Sequence, residues 1–385
     1  MTRALDRRSV VRGAAGLMGA GLLAACGAEP VRRTAPRPLP LANVEPWGAN
    51  VFLDEENEAW KRRHSLELLR DAGVRWIFQR IGWDAVESVG QGLFVNPQRR
   101  ESSWDRFDDI VDRALEQGIS VVARIDRSPP WARPGRESPT APPEDLADFA
   151  TFLGTLAEHY QDRIQHYQIW HEPNLAANWG GAAPDPAGYA ELLRVAHDAL
   201  KSVDDRLVVA AAQLAPTLEN NPRAISDLAF LRQTYDHGAA ETLDIQAAAA
   251  FGMQYSPNTP ADPRVLNFRR VELLRNLMVE YGRSDAAVWL SAYGWNAAPP
   301  DLEVSQPVWR RVEEAQQAAW TIDGVRYGLS EWPWIGVFGI WFFRQSFAAL
   351  GPDDASYYFR MVDPDFTPRP VYRAVQEAAT GHTDL

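Results

Sequence analysis

The chain of 385 residues contains a single cysteine, Cys26, so no disulfide can form within it. An excess of positive charge is also missing: the formal net charge is −12, which argues against nucleic acid as a partner. Histidines such as His64, His159 and His166 carry no metal-ligand spacing. The sequence therefore predicts a protein without internal disulfides, nucleic-acid partner, metal or other cofactor.

The N-terminus has the pattern of an export signal. The adjacent Arg7 and Arg8 resemble a twin-arginine signal, and residues 13–25 form an apolar run that is shorter than a membrane-spanning helix. The run ends in "LAAC", which resembles a bacterial lipobox with Cys26 as the lipidated residue. We therefore expect residues 1–26 to be a signal peptide, with the twin-arginine and general secretory routes both open. The mature protein is expected to be a membrane-anchored lipoprotein that faces outside the cytoplasm.

A proline-rich tether, residues 27–43, is followed by alternating apolar runs and amphipathic helical patterns. The runs are almost continuously apolar, which is typical of parallel strands buried on both faces. The predicted strands are 47–53, 74–83, 119–125, 164–170, 206–212, 243–250, 287–292 and 335–343, and the helices that follow them are 57–72, 104–118, 144–160, 186–203, 223–237, 267–281, 307–329 and 368–379. Eight such units predict a single (β/α)₈ TIM barrel over residues 44–385. An open doubly wound sheet is disfavoured, because its Gly-rich phosphate turn is missing after the first strand.

The stretch "IWHEPN", residues 169–174, places a carboxylate where the fourth strand is expected to end. Pro173 stops the strand and fixes the turn, and the active sites of such barrels lie at the C-terminal ends of the strands. Enclosed in a barrel mouth beside His171, Glu172 is expected to have the raised pKa that a general acid needs. The alternative is structural: the carboxylate caps the next loop or pairs with Arg80.

Together with "RIGWDAVES", "SPPWARP" and the segment around Trp341, "IWHEPN" resembles clan A glycoside hydrolases, in particular the family 39 and family 5 branches. These include cellulases and β-xylosidases, and the resemblance covers most of residues 45–380. It implies a TIM barrel whose partner is an oligo- or polysaccharide with β-linkages. It also implies that Glu172 is the acid/base of a retaining mechanism.

In this clan the nucleophile is a glutamate that ends strand seven, and the matching stretch here is "WLSAYGW". Its matching residue is Ala292, so the resemblance implies a vacant nucleophile position. His171 replaces the asparagine that contacts the sugar 2-hydroxyl in the clan, and Phe251 lies near the place of the tyrosine that orients the nucleophile. With His171 and Phe251, the candidate substrate contacts are Arg80, Asn174, Trp179, Trp295 and Trp341.

Three functions follow from these residues. An alanine methyl cannot attack an anomeric carbon, so the first is glycan binding with impaired or absent retaining hydrolysis. The second is an active O-glycosyl hydrolase in which Asp301 or Glu303 supplies a replacement carboxylate for an inverting mechanism. The third is a surface or assembly protein with a vestigial pocket. Glu172 and Ala292 are expected to face each other across the barrel mouth, because their strands lie on opposite sides of the barrel.

Overall fold

The computed structural model describes residues 30–31, 38–302, 310–345 and 350–381. Eight parallel strands form a closed barrel in the order in which they occur along the chain. They are β1 (Trp47–Val51), β2 (Trp76–Arg80), β3 (Ser120–Ile125), β4 (His166–Ile169), β5 (Val208–Ala211), β6 (Ile245–Phe251), β7 (Ala287–Gly294) and β8 (Ile335–Ile340). Trp47 of β1 pairs with Phe338 of β8 and closes the barrel, which confirms the predicted TIM barrel.

A helix follows each strand on the outside of the barrel. These helices are α1 (Ala59–Asp71), α2 (Asp105–Glu116), α3 (Leu146–His159), α4 (Pro186–Val203), α5 (Asp227–Asp236), α6 (Val271–Glu280), α7 (Glu314–Glu331) and α8 (Pro370–Thr380). Helix α2 is an example of the pattern that forms these helices. Its buried residues recur at helical spacing and make one apolar face: Phe107, Ile110, Val111 and Ala114. Across the described ranges, every helix is too short or too polar to cross a membrane.

Helix α7 begins at Glu314, seven residues later than the sequence pattern predicts. Glu313 caps the helix in a reciprocal arrangement with Gln316, whose side chain accepts the Glu313 N–H at 3.0 Å. The preceding Val312 donates its backbone N–H to the carbonyl of Asn296 at 2.9 Å. The chain therefore returns to the end of β7 before the helix starts, and these backbone groups are used outside the helix.

Three short elements, a one-turn α-helix and two hairpins, occur in two of the loops that leave the barrel strands. A one-turn helix, Trp83–Val86, follows β2, and a small hairpin pairs Val95–Asn96 with Glu101–Ser102 before α2. A second hairpin pairs Asn220–Asn221 with Ala224–Ile225 between β5 and α5. Loops at the C-terminal ends of the strands carry the active sites of TIM barrels, so these elements lie on the side where the site is expected.

The opposite end of the barrel, where the strands begin, is closed by the chain that precedes β1. The indole N–H of Trp289 donates to the carbonyl of Leu41 at 2.7 Å, and that of Trp76 donates to the carbonyl of Glu45 at 3.0 Å. His166 stacks on Trp289 with ring centroids 5.2 Å apart. This end of the barrel is therefore filled by packed side chains, and the candidate site lies at the other end.

Candidate active site

The backbone turns sharply just after β4 and presents Glu172 at the mouth of the barrel. Trp170 has φ 73° and Glu172 has φ 44°, both in the left-handed region that favours glycine. Two hydrogen bonds hold the turn: Trp170 N–H donates to the Ile125 carbonyl at 2.9 Å, and Glu172 N–H donates to the Gln213 carbonyl at 3.1 Å. Such conformations cost free energy and cluster at functional sites. The turn therefore fixes the direction of the Glu172 side chain against a backbone preference.

The carboxyl group of Glu172 is largely buried and is contacted by neutral polar groups. Asn178 Nδ2 donates to Glu172 Oε2 at 3.2 Å, and the side chain of Gln213 is also hydrogen-bonded to the carboxyl group. Burial raises the pKa of Glu172 to about 7, against the opposing effects of the Arg124 charge and the Gln213 and Asn178 hydrogen bonds. A carboxyl group with this pKa can hold a proton near neutral pH and release it to a leaving group.

His171 lies beside this carboxyl group, with its Nε2 atom 3.7 Å from Glu172 Oε2. Burial, with the charges of Arg124 and Arg80, holds the pKa of His171 well below its usual value. The imidazole is therefore neutral at physiological pH and offers one N–H donor and one acceptor. Within the ranges that the structure describes, its buried Nδ1 atom has no hydrogen-bond partner. The imidazole of His171 therefore keeps one buried nitrogen atom, Nδ1, that makes no hydrogen bond to the described residues.

Arg80 does not serve as an ion-pair partner of Glu172, contrary to the structural alternative. Its Nη2 atom lies 2.7 Å from Asp54 Oδ2 and 3.4 Å from Glu55 Oε1, so its guanidinium is engaged by the loop after β1. Arg124 is the register partner of Arg80 on the neighbouring strand. Arg124 Nε donates to Asp126 Oδ2 at 3.0 Å, and its charge acts on both Glu172 and His171.

Ala292 lies on β7 inside an apolar cluster and is 1% exposed. The buried members of this cluster are Phe251, Met253, Ala292, Phe342 and Phe359, with Phe52, Ala249, Tyr255, Leu266, Trp341 and Leu350 packed around them. The preceding residue, Ser291, donates its hydroxyl to Gln213 Oε1, and Gln213 contacts Glu172. The end of β7 is thus connected to Glu172 through one glutamine, while position 292 itself faces hydrocarbon.

The predicted sugar contacts divide into accessible and buried side chains. Trp341, joined to Phe342 by a cis peptide bond, is partly exposed and packs edge-on against Phe52 at 5.7 Å. Four others are covered: Asn174, Trp179, Phe251 and Trp295. The amide of Asn174 donates to the carbonyls of Ala215 and Ile225 and accepts the Ala215 N–H, while Trp295 packs between Phe268 and Trp320. The sugar contacts assigned to these four stay predictions, and their observed contacts are with the protein itself.

A groove of ≈ 600 Å³ opens beside Glu172. The loops after β4, β5 and β6 form its walls, and Arg310, near the end of the loop after β7, also lines it. Asp301 is exposed in that last loop, and Glu303 lies outside the described residues. The acid therefore has an adjoining space large enough for part of a substrate.

Sequence reasoning did not single out Arg124, Asn178 or Gln213, which set the electrostatics of Glu172. Gln213 follows the apolar run of β5, so the rule that selects polar residues at strand ends would have found it. Arg124 is a charged residue inside an otherwise apolar strand, which is itself a signal. Asn178 lies in a loop, and its sequence context gives no sign of its contact with Glu172.

No protein-family model matches the chain. Two curated relatives show distant similarity. "Beta-glucosidase 3" of Oryza sativa subsp. japonica is 26% identical over 137 residues, which is 33% of this chain and 26% of the relative. "Probable arabinogalactan endo-beta-1,4-galactanase A" of Aspergillus terreus is 24% identical over 235 residues, 58% of this chain and 64% of the relative. The chain thus spans less than two thirds of the length of either relative.

Solved structures give broader coverage. A family 39 glycoside hydrolase from Bacteroides cellulosilyticus superposes with a TM-score of 0.65 at 20% identity, covering 88% of this chain and 64% of that one. The chain shares the barrel fold of this glycoside hydrolase. A glucosidase from Croceicoccus marinus has a TM-score of 0.62 at 16% identity, covering 92% of this chain and 69% of its own. A monomeric β-xylosidase from Caulobacter crescentus has a TM-score of 0.58 at 14% identity. The match covers 90% of this chain and 69% of the xylosidase. The barrel fold shared with these glycoside hydrolases agrees with the resemblance found in the sequence.

Proposed function

We propose that this protein binds β-linked glycan at the mouth of its glycoside hydrolase barrel and hydrolyses it slowly or not at all. One contrast carries the proposal: Glu172 has the environment of a general acid, whereas position 292 is a buried alanine in an apolar cluster. The first half of a retaining site is therefore built, and the second half lacks a reacting group.

The acid half depends on the pKa of Glu172. With a value of about 7, a substantial fraction of the carboxyl groups is protonated at neutral pH. The group is about one fifth exposed and lines the groove, so its proton can reach a glycosidic oxygen held there. Protonation of the leaving oxygen is the first task of the acid in both retaining and inverting glycosidases.

The nucleophile half fails for a chemical reason. A retaining mechanism needs a second carboxylate about 5–5.5 Å from the acid, positioned to attack the anomeric carbon. Ala292, the residue that matches the nucleophile in sequence, has only a methyl group, and the phenylalanines around it offer no substitute. Loss of a nucleophile typically lowers the rate on the order of 10⁴-fold or more. Binding of the sugar does not need this group, so affinity survives where turnover does not.

Three accessible groups supply the proposed sugar contacts. Trp341 presents a partly exposed aromatic ring for the apolar face of a pyranose. The His171 side chain is about one quarter exposed, and its imidazole can exchange a hydrogen bond with a hydroxyl group. Glu172 contacts the glycosidic oxygen. The charge of Arg124, close to both His171 and Glu172, favours a partly negative sugar oxygen over an apolar group.

A second candidate is an inverting hydrolase, in which an acid about 6.5–9.5 Å from Glu172 activates a water molecule. The loop after β7 favours this candidate, because Arg310 at its end lines the groove of Glu172. That loop carries Asp301 and Glu303. An inverting hydrolase would release a product with the opposite anomeric configuration, and Asp301→Asn or Glu303→Gln would abolish its activity.

Chemical rescue tests the proposal. Azide or formate, added to the natural protein with an activated aryl β-glycoside, should replace the missing carboxylate and attack the anomeric carbon as the phenolate leaves. Azide should give the α-glycosyl azide, identified by NMR, at a rate that rises with its concentration. Turnover of about 1 s⁻¹ or more without any added anion, a rate typical of enzymes, would contradict the vacant-nucleophile assignment.

We also infer that the protein is exported and anchored to a membrane by lipid on Cys26, which lies outside the described residues. The "LAAC" motif after a basic and apolar leader supports this inference. Mass spectrometry of the membrane-extracted protein should show an acylated cysteine at the N-terminus. A mature protein that retains Met1 would contradict it.

A further inference from the structure

The groove beside Glu172 has mainly apolar walls. Six of its lining residues have large apolar or aromatic side chains: Leu175, Leu218, Met253, Tyr255, Val265 and Leu266. Leu218 is 45% exposed and is the first residue of an exposed segment, 218–223. Aliphatic walls cannot form the hydrogen bonds that the hydroxyl groups of a sugar ring require. The wall chemistry is therefore suited to hydrocarbon better than to a second sugar.

Four polar lining residues of the groove are exposed to solvent, whereas Glu172 and Thr217 are partly covered. Glu219, Gln254 and Arg310 are exposed, and Arg264 is paired with Asp262 at 2.9 Å. Polar groups in contact with water lose little when an apolar ligand passes them, because they remain solvated. With apolar walls and most of its polar side chains in solvent, the groove has the character of a ligand pocket with few orienting groups.

The position of Glu172 defines which part of a substrate the groove receives. An acid that protonates a glycosidic oxygen lies between the sugar ring and its leaving group. The proposed sugar contacts His171 and Trp341 are outside the described lining of the groove, whereas Glu172 is part of it. If the sugar lies against His171 and Trp341, the groove is on the leaving-group side of the acid.

We propose that this groove holds an apolar aglycone, so that the ligand is an alkyl or aryl β-glycoside rather than a long oligosaccharide. The proposal rests on the proposed function, because it places the sugar at His171 and Trp341. It adds a substrate class: an amphiphilic glycoside with its sugar at the barrel mouth and its hydrocarbon against Leu218. Removal of hydrocarbon from water then supplies affinity that hydrogen bonds to a second sugar cannot.

Isothermal titration calorimetry with matched ligands tests the proposal. Methyl and butyl β-glycosides of glucose, galactose, xylose, mannose and glucuronic acid are titrated into the mature protein. Each methylene group buried in an apolar site strengthens binding about fourfold, so three added groups give up to about 60-fold. Because the groove is open to solvent, we expect the butyl glycoside of the preferred sugar to bind at least about tenfold tighter than the methyl glycoside.

Two variants locate the effect. Leu218→Asp places a charge in the groove and should reduce the butyl-to-methyl affinity ratio to below about threefold. Leu115→Asp is the matched control, because Leu115 is 39% exposed on α2, outside the groove lining. It should leave the ratio at its natural value.

The possible results separate this inference from the proposed function. Equal affinity for methyl and butyl glycosides would overturn the apolar aglycone and leave glycan binding intact. A ratio that Leu218→Asp does not change would overturn the groove as the place of the chain. Failure of every glycoside in the panel to bind would overturn both proposals.

Discussion

Replacing Ala292 with glutamate restores the missing carboxylate and has a cost that the structure makes calculable. The substitution adds a carboxymethyl group at a position that is 1% exposed and packed by Phe251, Phe342 and Phe359. Overpacking costs about 1–3 kcal/mol, and a buried carboxylate without a partner costs several more unless it stays protonated. We expect Ala292→Glu to lose about 3–5 kcal/mol of the free energy of unfolding, and its new carboxyl group to have a raised pKa.

Ala292→Gln is the matched control for this cost. Its side chain has nearly the same shape as glutamate but cannot attack an anomeric carbon. Comparison of the two variants therefore separates the gain of a nucleophile from the disturbance of the cluster. Since nucleophile loss costs on the order of 10⁴-fold, the rate gain has this upper limit. We expect about 10–100-fold for Ala292→Glu alone, because Phe251 cannot hydrogen-bond the new carboxylate, and more when Phe251→Tyr and His171→Asn are added.

The assay combines rate, covalent trapping and a check of folding. Hydrolysis of aryl β-glycosides gives the rate, and a 2-deoxy-2-fluoro glycosyl donor should form an adduct at residue 292 that mass spectrometry locates. Circular dichroism establishes that each variant is folded. The reasoning is refuted if a folded Ala292→Glu hydrolyses no faster than Ala292→Gln and forms no adduct.

Three further predictions concern the mouth. The folded-state pKa of Glu172, about 7, lies above the ordinary value of 4.5, so stability falls as pH rises from about 4.5 to about 7. Glu172→Gln cannot ionise, so its free energy of unfolding, measured in urea, should rise by about 2–3 kcal/mol relative to that of the natural protein as the pH increases from about 4.5 to about 8. A difference between the two proteins that stays constant with pH would contradict the raised pKa. Gln213→Leu removes a hydrogen bond that lowers the pKa of Glu172, so the carboxyl ¹³C NMR titration should move to higher pH, and an unchanged midpoint would count against the contact. Trp341→Ala should weaken glycan binding by more than about 1 kcal/mol, whereas Trp60→Ala, an exposed tryptophan on α1, should leave it unchanged; equal affinities for both variants would remove Trp341 from the site.

The barrel could be predicted because its signal is repeated along the whole chain. Each strand is a short apolar run and each helix an amphipathic pattern, as in α2, so the errors concern only boundaries. The late start of α7 is one such error. Its cause is a long-range contact, the return of Val312 to Asn296, which periodicity does not contain.

The site was harder to predict, because strand ends give the position of a residue along the chain and not the direction of its side chain. Glu172 was found because a proline follows it at the end of an apolar run, and it does line the groove. Asn174 comes two residues later and points into backbone contacts, while Trp295 packs into the core. Gln213 was missed because its contact with Glu172 joins two loops and exists only in the folded barrel.

The central claim is that the natural protein binds a β-glycoside without turning it over, and saturation-transfer difference NMR measures both properties in one sample. The protein is mixed with methyl and butyl β-glycosides, and transfer from protein to sugar protons reports binding while the anomeric signals report hydrolysis. We expect saturation transfer for at least one glycoside, and an excess of a competing ligand should abolish this transfer. The anomeric signal of that glycoside should stay unchanged over a day. Absence of transfer for every glycoside, or conversion of the bound one to free sugar at about 1 s⁻¹, would contradict the claim.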